Sequence, residues 1–73
     1  MALTKREAAV AERVGLGLTT KAIAGDLRIS SRRVRMLITS IAYKIGARPD
    51  RDERVQVAEW WRAGSSFRYT DSE

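Results

Sequence analysis

"LRISSRRVRMLITSIAYKIG", residues 27–46, holds a turn, a helix and a helix stop, and its reading decides the fold. "RIS" is the turn. Ile29 is apolar, and Ser30 or Ser31 caps the next helix, since a short hydroxyl side chain accepts from an otherwise orphaned N–H. The spacing predicts a helix from Ser31 to Ile45. At about 100° per residue counted from Arg32, Val34, Ile38, Ile41 and Ile45 fall at about 200°, 240°, 180° and 220°. That is a tight apolar stripe with Leu37 on its edge. Opposite it stand Arg32, Met36, Thr39 and Tyr43. Arg33 lies on one flank with Ser40, and Arg35 on the other. Met36 and Tyr43 are unusual for a face that only needs water, so this outer face is expected to read a partner.

Upstream, "LTKREAAVAERV" carries a helix start. Thr4 as cap and Glu7 three residues on form a capping box. Leu3, Val10 and Val14, with alanines at 8, 9 and 11, supply an apolar stripe. Gly15 and Gly17 are expected to end this helix, glycine being suited to left-handed caps. "GLGLTTK" lacks the full pattern of a phosphate loop. A second, short helix comes next with Thr19 or Thr20 as cap, burying Ile23, Ala24 and Leu27.

Downstream, Gly46 closes the long helix and "ARPD" turns the chain. Asp50 and Glu53, or Asp52 alone, cap a fourth helix that ends near Ala63 and Gly64. On it Val55, Ala58 and Trp61 or Arg62 share one side, with Val57 and Trp60 beside them. Residues 65–73 are polar and without period, and a frayed tail is expected there unless Phe67 and Tyr69 fold back.

With 73 residues the chain is one small domain. Cysteine and histidine are both absent, which removes disulfides and Cys or His ligands for zinc. No side chain titrates naturally near neutral pH, which counts against catalysis. No metal or cofactor is expected. No stretch approaches the length of a membrane span and no signal peptide opens the chain, so the expected compartment is the cytoplasm. The net charge is +5, but residues 19–48 alone carry seven basic residues against Asp26, a balance of +6. All the net positive charge therefore lies in the middle segment. A merely solvated basic face would not require such segregation, and a polyanionic partner would.

The residues "LTKRE", "GLTTKAIA", "L-R-IS", "VR" and "KIGAR", in this order and spacing, resemble the DNA-binding domain of the LuxR/GerE family of transcriptional regulators. The resemblance runs from residue 3 to about 58, with one extra residue before Arg51. It implies an all-α, four-helix, helix-turn-helix domain over residues 1–64, with the third helix entering the major groove as the recognition helix. Relatives usually carry a receiver or ligand-binding domain upstream. This chain opens at Met1 with the binding domain and is more similar to stand-alone members. Departures mark its own character: Arg33 stands where the family has threonine, Arg35 replaces lysine, Leu37 replaces histidine, and Thr20 and Ser40 replace asparagines.

The reading therefore implies double-stranded DNA as partner and small, sequence-specific transcriptional regulator as function, associated with the nucleoid. Base edges are expected to meet Arg32, Arg35, Met36 and Thr39, with Arg35 best placed for a bidentate contact to guanine. Thr20, Lys21, Ser30, Ser31, Arg33, Tyr43 and Lys44 are expected to hold phosphates. Two adjacent tryptophans point about 100° apart on a helix and a small domain can hardly bury both. Val57, Ala58, Trp60 and Trp61 are therefore the expected homodimer interface on the fourth helix. The alternative from another class is an adaptor that binds RNA polymerase, a sigma factor or another regulator through the same fold. A fragment of a nucleic-acid enzyme such as a recombinase is disfavoured, because no catalytic constellation fits.

Overall fold

The computed structural model describes residues 3–64. The expected tail, residues 65–73, with Phe67 and Tyr69, lies outside the described residues. The chain folds as four helices: α1 (Lys5–Gly15), α2 (Thr20–Leu27), α3 (Ser31–Lys44) and α4 (Glu53–Arg62).

Each helix begins on a side chain that accepts from an orphan N–H of its first turn. Thr4 Oγ1 accepts from the Glu7 amide while a Glu7 carboxylate oxygen accepts from the Thr4 amide, the expected capping box. Thr19 rather than Thr20 caps α2, Ser30 rather than Ser31 caps α3, and Asp52 caps α4. The recognition-type helix ends at Lys44, one residue short of the expected Ile45, which serves as its C-cap.

The ends are made differently. Gly17 and Gly46 take left-handed backbone after α1 and α3, with φ of +88° and +74°. Gly15, expected to share the stop, is instead still helical, and its missing side chain matters more than its backbone. A Cβ there would stand 2.9 Å from Cδ1 of Trp61. Between α2 and α3 the left-handed position falls on Arg28 (φ +59°), where an L side chain is strained.

Leu3, Val10, Ala11 and Val14 meet Ile23 and Ala24 of α2, Val34, Ile38, Ile41 and Ala42 of α3, and Val57 and Ala58 of α4 in one core. α1 packs most extensively on α4, and α3 touches all three other helices. α3 is thus clamped on its apolar stripe while its opposite face stays in solvent.

The fourth helix departs from expectation. Val57 and Ala58 are buried in the chain's own core, at 0% and 6% exposure, so neither keeps surface for a second copy. That removes them from the expected dimer interface. Val55, expected to share a side with Ala58, is 48% exposed while Ala58 is buried. The tryptophans divide differently too: both are half-buried against the core, their ring centroids 6.4 Å apart and tilted by 53°. Trp61 gains its cover from the bare Cα of Gly15. Among the described residues no helix is long and apolar enough to cross a membrane.

Candidate nucleic-acid interface

α3 presents its outer face because Val34, Ile38 and Ile41 hold the opposite stripe in the core. Arg32, Arg35, Met36 and Thr39 are all exposed and together line one shallow, open concavity. Those are the four residues expected at base edges, and the fold does bring them together. Met36 is 59% exposed, a poor use of a thioether unless something apolar covers it. Arg32, Arg33 and Arg35 are exposed, and their guanidinium groups have no hydrogen-bond or ion-pair partner among the described residues. Three like charges within about one turn of helix repel, and an anionic surface offsets that.

The two flanks of α3 have different neighbours. On the Arg33 side, Ser40 and Lys44 turn down onto α1. Ser40 Oγ donates to Glu7 Oε2 at 2.7 Å, and Lys44 Nζ donates to Glu7 Oε1 at 2.7 Å. Glu7 is buried, and the Lys44 side chain keeps only 21% exposure. Lys44, expected on phosphate, is therefore committed to an internal ion pair. Burial raises the Glu7 carboxyl, but hydrogen bonds from Lys44, the Thr4 amide and Ser40, together with the Lys44 charge, outweigh it and hold it below its ordinary value.

On the Arg35 side the helix opens onto the start of α2 and α4. A second concavity there is lined by Thr20, Arg35, Ile38, Thr39, Glu53 and Arg54. Thr39 Oγ1 donates to Glu53 Oε1 at 3.0 Å. Arg54 reaches across from α4, one guanidinium nitrogen donating to Thr20 Oγ1 at 3.1 Å and the other to the Leu18 carbonyl. Thr20 thus anchors an arginine from α4, and its hydroxyl hydrogen stays available for another acceptor.

The remaining expected phosphate contacts are distributed around this face. Lys21 is exposed in the first turn of α2. Ser30 is exposed with its oxygen accepting from the Arg33 amide at 3.0 Å, and Ser31 opens α3 half-buried. Tyr43 is 80% exposed near the far end of α3.

Comparison with known proteins decides what this arrangement belongs to. The family described as "Bacterial regulatory proteins, luxR family" (GerE) matches residues 1–60. The chain belongs to the LuxR/GerE family. It is similar to the transcriptional regulatory protein YdfI of Bacillus subtilis (strain 168), with 45% identity over 56 residues. That match covers 77% of this chain and 26% of the relative, so the chain spans about a quarter of the relative's length. No solved structure matches the chain. Membership of this family makes the chain a helix-turn-helix, DNA-binding regulatory domain.

The structural roles of three α4 residues were not legible in the sequence. Glu53 reads there only as a capping residue of the fourth helix, paired with Asp50. Arg54 does carry a signal, since it lies one turn before Val57 and Ala58 on the core side of α4, where an arginine needs a partner. Gln56 is the third: its carbonyl oxygen accepts from the Arg48 amide at 2.8 Å and its amide donates to the Arg48 carbonyl at 2.9 Å, stitching the turn between α3 and α4.

Proposed function

We propose that this chain binds double-stranded DNA in a sequence-specific manner and regulates transcription by doing so, with α3 in the major groove. The observation that carries the reading is the single concavity formed by Arg32, Arg35, Met36 and Thr39, flanked by unpaired guanidinium groups. Its residue types suit the groove: arginine matches guanine O6 and N7, methionine the thymine methyl, and threonine either donors or acceptors. Lys21, Ser30, Ser31 and Arg33 are the proposed contacts to the phosphates bordering that groove, with Tyr43 in the same role two turns on. Lys44 is left out of the contact set because Glu7 holds it. A homodimer would use what α4 leaves uncovered, the outer edges of Trp60 and Trp61 and exposed Val55.

Selection of bound duplexes from a random pool, followed by salt titration of the selected site, tests the proposal. A single enriched motif whose affinity falls steeply with salt supports it. Binding without sequence preference contradicts the specific reading. Salt-insensitive binding to a polymerase or sigma-factor preparation, with none to DNA, supports the adaptor instead.

A further inference from the structure

The least expected group at this face is an acid. Of the residues lining the two concavities on α3, Glu53 alone is acidic, and it lies against the one hydroxyl that both concavities share. Thr39 Oγ1 donates its hydrogen to Glu53 Oε1 at 3.0 Å, and both residues are exposed. As the first residue of α4 Glu53 favours that helix through its dipole, but the tie to Thr39 is not needed for that.

We infer that Glu53 fixes what Thr39 can read: by holding the hydroxyl hydrogen, it leaves Oγ1 as an acceptor towards the groove and so selects a base that presents an amino group in the major groove, adenine or cytosine. This rests on the reading of α3 as a DNA reader and deepens it. A threonine hydroxyl has one hydrogen and two lone pairs, and alone it rotates to suit either kind of base edge. Hydrogen bonds to an ionised acceptor are roughly twice as strong as those to a neutral one. Between the Glu53 carboxylate and guanine O6 or thymine O4, the hydrogen therefore stays with Glu53. The lone pairs that remain match cytosine N4 or adenine N6. The carboxylate also repels the acceptor edges of guanine and thymine, so both groups bias the choice in the same direction. Glu53 is a positioning residue here, acting through Thr39.

The test measures binding to the selected duplex with each base pair varied in turn. The wild-type chain is expected to favour adenine or cytosine over guanine or thymine by about three- to tenfold on one strand of one pair, the value of a single hydrogen bond. Thr39→Val should abolish that preference and thereby identify the pair. Glu53→Ala, which frees the hydroxyl to donate, should abolish or reverse the preference at that pair only. Glu53→Gln, whose amide offers a neutral acceptor or a donor, should weaken it and serves equally if the alanine variant does not fold. Preference at the pair governed by Arg35 should be unchanged in both Glu53 variants. Glu53 variants that keep the full amino preference overturn the inference, as does a Thr39→Val chain that discriminates like the wild type at every pair. A wild-type chain that discriminates at no pair contradicts the DNA-reading function itself, which is a separate failure.

Discussion

Lys44 Nζ donates to Glu7 Oε1 at 2.7 Å across the interface of α1 and α3, and Ser40 Oγ donates to Oε2 of the same carboxylate. A buried carboxylate of the α1 capping box thus ties α1 to the helix that carries the proposed reading face. Removing its charge leaves Lys44 without its partner. Glu7→Gln is expected to lower stability by about 1.5–3 kcal/mol at neutral pH, the range for hydrogen bonds to charged groups. The pH dependence stems from the lowered carboxyl. Over the acid range the unfolded chain binds the proton more readily, so the contribution of Glu7 is complete above the ordinary glutamate value. It is lost as pH falls through the lowered folded value. Denaturant unfolding of wild type and Glu7→Gln between about pH 6 and 3 should therefore show a smaller loss for the variant. Parallel curves would contradict this role.

Gly15 gives way to Trp61, whose Cδ1 would stand 2.9 Å from a Cβ and whose Cβ and Cγ would both be 3.3 Å away. The near atoms include the base of the side chain, so the indole cannot yield by a small rotation. Gly15→Ala gains up to about 1 kcal/mol of helix propensity and incurs about 1–3 kcal/mol of overpacking. A net loss of about 1 kcal/mol is expected by thermal unfolding, with a changed tryptophan emission. A more stable variant would show that the indole yields to the added methyl group.

Arg28 holds φ +59° at the turn between α2 and α3. The left-handed backbone costs an L residue about 1–2 kcal/mol and glycine almost nothing. Because glycine also loosens the unfolded chain, Arg28→Gly is expected to stabilise the domain by about 0.5–1 kcal/mol. Calorimetry checks the sign. Destabilisation would mean that the arginine side chain contributes more than the strain removes.

The basic residues should separate by role in binding. Arg35→Ala is expected to cost about 1–3 kcal/mol at one base pair and to relax specificity there. Lys21→Ala and Arg33→Ala should weaken all duplexes alike and reduce the salt slope by about 1 each. Lys44→Ala should instead lower the melting temperature and leave the affinity and salt slope of the folded fraction unchanged. Competition binding at three salt concentrations distinguishes these outcomes. A lowered salt slope for Lys44→Ala would return that residue to the phosphate contacts.

What the sequence made legible is what is encoded locally. Thr4 and Glu7, Thr19, Ser30 and Asp52 are caps written within one turn of the N–H groups they satisfy, and the Val34, Ile38, Ile41 stripe is a matter of period alone. The exposed set of Arg32, Arg35, Met36 and Thr39 results from that stripe by geometry. Lys44 was not legible, because its charge is in the sequence while its partner lies 37 residues away. Gly15 reads as a helix stop until Trp61 arrives from another helix. α4 carries apolar residues at 55, 57, 58, 60 and 61, so its period does not decide which side is inner. Only its packing against both α1 and α3 buries Val57 and Ala58 together.

Contact between the outer face of α3 and DNA is the central claim, and amide chemical shifts of the labelled chain, recorded while the selected duplex is added, test it most directly. The expected result is that the largest changes fall on Arg32, Arg35, Met36 and Thr39 and on the first turn of α2, with the core side of α3 and the middle of α4 little affected. Changes centred on α4 or α1, with the outer positions of α3 unmoved at saturation, would contradict it.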